Sequence, residues 1–142
     1  MAGITEDRES LTGVWQGLYS YENQPGMPES HFVAVLFDGG TYLSGTIHEN
    51  MNHRNGTASP ANASVEGARD RDQVRFVKSY DGMSGIGHKV DYAGLISNEG
   101  NEIEGQWQIH SRQGYLFSGR FLMIRTRGPK AQATTKAFEH AG

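Results

Sequence analysis

Between Leu11 and Arg125 apolar and polar residues alternate in short runs broken by Gly, Asn, Asp and Ser. A period of two is the mark of half-buried strands, not of helices. Eight runs can be delimited: Leu11–Tyr21, His31–Asp38, Thr41–Glu49, Ala63–Arg69, Gln73–Tyr80, His88–Ile96, Glu102–Ile109 and Tyr115–Thr126. The spacers are too short for the crossovers that parallel strands need, so consecutive runs are expected to pair as antiparallel hairpins. An all-β, eight-stranded, antiparallel up-and-down barrel follows, because closure also removes the sheet edges that an open array would have to protect. A two-sheet β-sandwich is the alternative.

Alternation also fixes which side chains point inward. In the seventh run Glu102, Glu104, Gln106 and Gln108 must face water, which turns Ile103, Gly105, Trp107 and Ile109 to the core. By the same parity Val90, Tyr92, Gly94 and Ile96 point inward from the sixth run. Leu11, Gly13, Trp15, Gly17 and Tyr19 share one face of the first, and Phe117, Gly119, Phe121, Met123 and Arg125 one face of the last. The second run is apolar on both faces, so either Phe32, Ala34 and Leu36 or Val33, Val35 and Phe37 are its core set. The 19 glycines in 142 residues are close to twice the usual share of roughly 7%. Six of the runs repeat an apolar-x-Gly pattern, at Gly13, Gly45, Gly67, Gly94, Gly105 and Gly119. Inward glycine belongs where a sheet coils tightly or backbones approach closely.

Composition removes several function classes. With no cysteine there is no disulfide scaffold, no Cys-ligated metal and no thiol nucleophile. A net charge of −3 gives no general attraction to phosphate backbones, so nucleic acid is not an expected partner. No apolar run is long enough for a membrane helix, and the first residues lack the basic and apolar regions of a secretion signal, which is read as a cytoplasmic, non-membrane protein. Residues 1–10 are expected to be a flexible N-terminal segment, 11–127 the barrel, and 128–142 a tail that could hold one short helix after Gly128-Pro129.

In such a barrel connections alternate between the two ends. One end receives the tight turns at Gly39-Gly40, Asp70-Arg71-Asp72 and Ser97–Asn101. The other receives Glu22–Ser30, Asn50–Asn62, Asp81–Gly87 and His110–Gly114, rich in Gly, Pro, Asn and Ser, and function is sought there. His31, His48, His53, His88 and His110 all map to this end. Their spacings match no metal-binding pattern, and no metal or other cofactor is expected. Asn55-Gly-Thr57 and Asn62-Ala-Ser64 fit the glycosylation triplet but read as turn residues.

Leu11-Thr-Gly13-Val-Trp15 resembles the Gly-x-Trp opening of calycins, the superfamily of lipocalins, fatty-acid-binding proteins and avidins. The resemblance implies that Trp15 plugs a closed barrel end and that Arg125, in Phe121-Leu-Met-Ile-Arg125, packs across it, with Gly13 a third structural residue. Leu43-Ser-Gly45-Thr is similar to the second hairpin of avidins. Tyr80-Asp81-Gly82, His88-Lys-Val-Asp-Tyr92 and Ile103-Glu-Gly105-Gln-Trp107 resemble small bacterial calycin-like proteins, which brings no particular activity with it. The biotin-site pattern is not matched: Gln16-Gly17-Leu18 follows Trp15, and Trp107 is the only other tryptophan. The lipocalin disulfide is missing too, and Glu22–Ser30, with Pro25 and Pro28, is too short for a helical lid.

Parity brings one set of polar side chains together at the loop-rich end. If Val74 and Phe76 face the core, so do Lys78 and Tyr80. Glu49, Tyr19, His88 and Tyr92 share the inward faces of their own runs, and Trp107 lies on that of the seventh. A lysine inside a barrel must be paired, solvated or depressed in pKa. The expected site is therefore a pocket for a small, partly apolar organic ligand lined by Tyr19, Glu49, Lys78, Tyr80, His88, Tyr92 and Trp107. One alternative is acid/base catalysis of the cyclase, isomerase or lyase kind, with Lys78, His88 and Glu49 as candidate catalytic groups. Another is that Lys78 forms a structural ion pair with Glu49 or Asp81. A third reading is a homo-oligomeric interaction module, since Val14, Leu18, Val77, Leu116, Leu122 and Ile124 form an outer apolar stripe suited to a homodimer or to docking of the C-terminal segment.

Overall fold

A computed structural model describes residues 9–22, 24–52, 55–81, 89–110 and 116–126. Its strands are β1 (Gly13–Tyr21), β2 (Ser30–Asp38), β3 (Tyr42–Asn52), β4 (Ala58–Asp70), β5 (Gln73–Tyr80), β6 (Lys89–Ser97), β7 (Glu102–His110) and β8 (Leu116–Thr126). They close into one barrel in sequence order, every neighbour antiparallel, with β8 returning to β1. Among the described residues no helix is long and apolar enough to cross a membrane. The tail beyond Thr126 and the residues before Glu9 lie outside the described ones.

The alternation expected of the strands is the alternation found. Trp15, Tyr19, Leu43, Ile47, Val65, Val74, Phe76, Val90, Tyr92, Ile103, Trp107, Phe121 and Met123 form one interior cluster. For β2 the structure decides: Phe32, Ala34 and Leu36 are buried, whereas Val33, Val35 and Phe37 stand out from the wall. Gly105 shows why glycine sits in these strands. A Cβ there would lie 2.0 Å from the Ala93 carbonyl oxygen, and one on the facing Gly94 would lie 2.8 Å from the Phe121 ring. Side chains at this crossing would push β6 and β7 apart and expel Phe121 from the core.

The second long loop is shorter than the sequence reading gives it. β3 runs on to Asn52 and β4 begins at Ala58, so most of Asn50–Asn62 is a two-stranded arm paired through Asn52↔Ala58. The pairing of β4 with β5 begins only at Ala63↔Tyr80, so Pro60 has a free side toward β5 and breaks no ladder. The alternating pattern is faint there because Asn50, Ala58, Ser59, Pro60 and Asn62 are all exposed. Asn55 accepts from the amide and hydroxyl of Thr57 at 3.0 and 2.6 Å, a local turn.

Candidate functional site

The two ends of the barrel are finished differently. At the tight-turn end Trp15 is fully buried and donates its indole N–H to the Leu11 carbonyl at 2.9 Å. Arg125 lies directly across the β1–β8 ladder, its guanidinium 4.6 Å from the centre of the Trp15 ring. The same guanidinium donates to the carbonyls of Gly100 (2.7 Å), Thr12 (2.9 Å) and Ser10. Gly13 opens β1 at φ 146°, in the region that favours glycine, and a Cβ there would sit 3.5 Å from the Arg125 guanidinium. Beside this plug lies a second buried cation that the sequence reading missed. Arg69 donates to Asp38 Oδ2 and to the Glu9 carbonyl, each at 2.6 Å. Burial works to raise the Asp38 pKa, but the amides of Leu11 and Gly40 and the Arg69 guanidinium outweigh it and hold the carboxyl below its ordinary value. The available signal was parity, since Arg69 follows Val65 and Gly67 on the inward face.

Toward the other end the polar group is of another kind. β3 brings Glu49 inward and β5 brings Lys78, and Lys78 Nζ donates to Glu49 Oε1 at 3.0 Å. Both side chains are removed from water, with 1% and 0% of their side-chain surface exposed. Tyr80 donates its hydroxyl to the same oxygen at 3.0 Å, and Tyr19 donates to Oε2 at 2.5 Å. The carboxylate thus accepts from three donors. The ammonium is surrounded by ring faces, those of Tyr80 at 4.6 Å, Tyr19 at 4.8 Å and Tyr92 at 5.4 Å. Burial pushes the Lys78 pKa down, and the Glu49 charge opposes it only in part. Burial, seconded by neighbouring charges including Glu49, holds the phenols of Tyr19, Tyr80 and Tyr92 well above the tyrosine range. At neutral pH these hydroxyls are protonated donors.

Around this pair the aromatic side chains interlock. Phe76 stacks on Tyr92 at 4.8 Å, and Trp107 meets Tyr21 and Tyr19 edge-on at 5.1 and 5.9 Å while donating its indole N–H to the Ser20 carbonyl. Tyr21, Tyr80, Ile109 and Phe117 are half-buried and form a further layer toward the long-loop end.

The structure therefore brings together Tyr19, Glu49, Lys78, Tyr80, Tyr92 and Trp107, and it selects Glu49 over the exposed Asp81 as the partner of Lys78. Tyr21 joins them; its parity with Tyr19 was the signal. His88 lies outside the described residues, as do His53 and the side chain of His110. His31 and His48 point outward, the latter hydrogen-bonded through Nδ1 to Asn62 Oδ1 at 2.7 Å. Among the described residues there is no group of three His, Asp or Glu side chains able to hold a metal ion.

No protein-family model matches the chain, and no curated protein matches it. A solved structure described as a redesigned β-barrel is similar in fold, with a TM-score of 0.59 and 12% sequence identity over 83% of this chain and 92% of the other. At that identity the likeness concerns the barrel alone.

Proposed function

We propose that this chain is a calycin-type barrel that binds a small, partly apolar organic molecule at its long-loop end. The observation that carries the reading is the buried Glu49–Lys78 pair beneath a half-buried aromatic layer. A buried ion pair is poor cement, because the desolvation of both charges offsets their attraction. At the opposite end Arg125 is held by backbone carbonyls, and the Arg69–Asp38 pair there is backed by the Glu9 carbonyl and the Leu11 and Gly40 amides. A carboxylate, an ammonium and two phenol donors at one level of the apolar interior are the groups an amphiphilic ligand uses: ring faces for its body and convergent polar groups for its head. Tyr80, half-buried and bonded to Glu49, is the group that a ligand's polar end meets first. Acid/base chemistry on a bound carbonyl is a second use of the same residues, favoured by the lowered pKa of Lys78.

Native mass spectrometry of full-length protein purified from its own host is expected to show a retained organic molecule. Titration with anilinonaphthalene sulfonate is expected to give one-to-one binding with energy transfer from Trp107, weakened at least about tenfold in the folded Glu49→Leu/Lys78→Met double variant. Absence of both retained ligand and saturable binding would overturn the proposal, as would equal binding by the double variant. Turnover of a bound carbonyl compound, abolished by Lys78→Met alone, would establish the catalytic use.

A further inference from the structure

The outer wall of the barrel divides by charge. The exposed charged side chains of the ladder, among them Glu66, Arg75, Lys89, Asp91, Glu104 and Arg120, all stand on β4 to β8. Strands β1 to β3 present none outward: their two acidic residues are Glu49, inside the barrel, and Asp38, bonded to Arg69. In place of charge this wall carries Val14, Val33, Val35 and Phe37, exposed at 42%, 42%, 45% and 56%. Val14 sits opposite Val35 in the β1–β2 ladder, and Val33 and Phe37 lie one outward step to either side along β2. The polar neighbours Gln16, Ser44, Thr46 and His48 frame the four. The outer stripe expected on β1 and β8 behaves differently: Leu18 and Ile124 are themselves buried, at 8% and 4%, with Leu122 packed against them.

We infer that the outer face of β1–β3 is a homodimer interface, occupied by the same face of a second copy. An uncharged apolar wall is matched by another uncharged wall, because facing the β4–β8 side would bury charges without partners. Each copy carries one such wall. The stripe on β2 is also close to self-complementary: a two-fold axis through Val35 sets Val33 against the partner's Phe37 and the reverse, the arrangement an isologous contact requires. Among the described residues no Lys or Arg stands on the outer face of β1 to β3, the feature that would attract an anionic lipid surface. The proposal is independent of the ligand reading, since every residue it uses points away from the barrel interior.

Sedimentation of the full-length chain over a wide range of concentration is expected to show a reversible dimer. Val35→Glu, at an exposed position, leaves the near-ultraviolet circular dichroism unchanged and weakens the dimer at least about thirtyfold. Because the chain has no cysteine, single-cysteine variants map the contact directly. A short bifunctional maleimide joins Val35→Cys chains into covalent dimers and leaves Gln106→Cys chains, on the opposite wall, unlinked. A monomer at every concentration would overturn the proposal, and so would a dimer indifferent to Val35→Glu, which would point to the tail or the β1–β8 stripe instead.

Discussion

Both ends of this barrel bury cations, arginines at one and a lysine at the other, and Arg125 and Lys78 are held in different ways. At the tight-turn end Arg125 spends donors on the carbonyls of Ser10, Thr12 and Gly100 and its flat face on Trp15. A guanidinium keeps its charge at any ordinary pH and bonds several fixed acceptors at once, so it works as a bolt between the β1 entrance and the β6–β7 turn. Toward the long-loop end Lys78 bonds one side-chain oxygen, and its other neighbours are rings. An ammonium on a flexible stem can lose its proton, change partner or accept a ligand. The difference separates a part of the molecule that holds the chain from a part that can respond.

That contrast breaks most sharply under substitution of one partner. Glu49→Leu strands the Lys78 charge in the core and is expected to cost about 3 to 5 kcal/mol in urea unfolding, whereas Glu49→Leu combined with Lys78→Met should recover the charge penalty and retain only about 1 to 3 kcal/mol for the Tyr19 and Tyr80 hydroxyls that lose their acceptor. If the double variant is as unstable as the single one, the pair is a bolt after all. Arg125→Met should cost about 3 kcal/mol, and no second side-chain substitution should recover it, because the abandoned acceptors are backbone carbonyls.

Alkaline pH tests the same division without mutation. Tyr19, Tyr80 and Tyr92 have folded pKa values raised above 10.0, chiefly by burial, so their contribution to stability is whole below pH 10 and is lost as the pH rises beyond it. Lys78 runs the other way. Its pKa is lowered from 10.5, so the unfolded chain binds the extra proton, and the penalty on the folded state fades as the pH rises toward 10.5. Stability measured by denaturant titration should therefore fall only above about pH 10, by up to about 1.4 kcal/mol per pH unit for each tyrosine. Phenolate absorbance from these three should appear together with unfolding and not before it. Tyr80→Phe, the smallest change, removes one of the three donors to Glu49 for about 1 kcal/mol and flattens that alkaline slope by one proton.

Much of this was legible in the chain because it is local. Glu102, Glu104, Gln106 and Gln108 in alternation leave Ile103, Gly105 and Trp107 one direction to point. The same parity placed Trp15, Lys78 and Tyr92 inside. It failed where a run offers no contrast: β2 is apolar on both faces, and only the closed sheet shows that Phe32 is core and Val33 is surface. It thinned out in the β3–β4 arm, where Asn50, Ala58, Ser59, Pro60 and Asn62 are exposed and hydrophobic alternation has nothing to report.

The amino-acid sequence by itself determined eight antiparallel strands in order, the inward residues of those whose two faces differ in polarity, and one set of tight turns, because strand period and connection length are properties of neighbouring residues. Tertiary structure decided which inward charges meet. Glu49 and Lys78 come from β3 and β5, strands that are not paired with each other, as do Arg69 on β4 and Asp38 on β2. Such encounters depend on the cumulative register around the closed sheet and on reach across its interior, which no pattern within a single strand encodes.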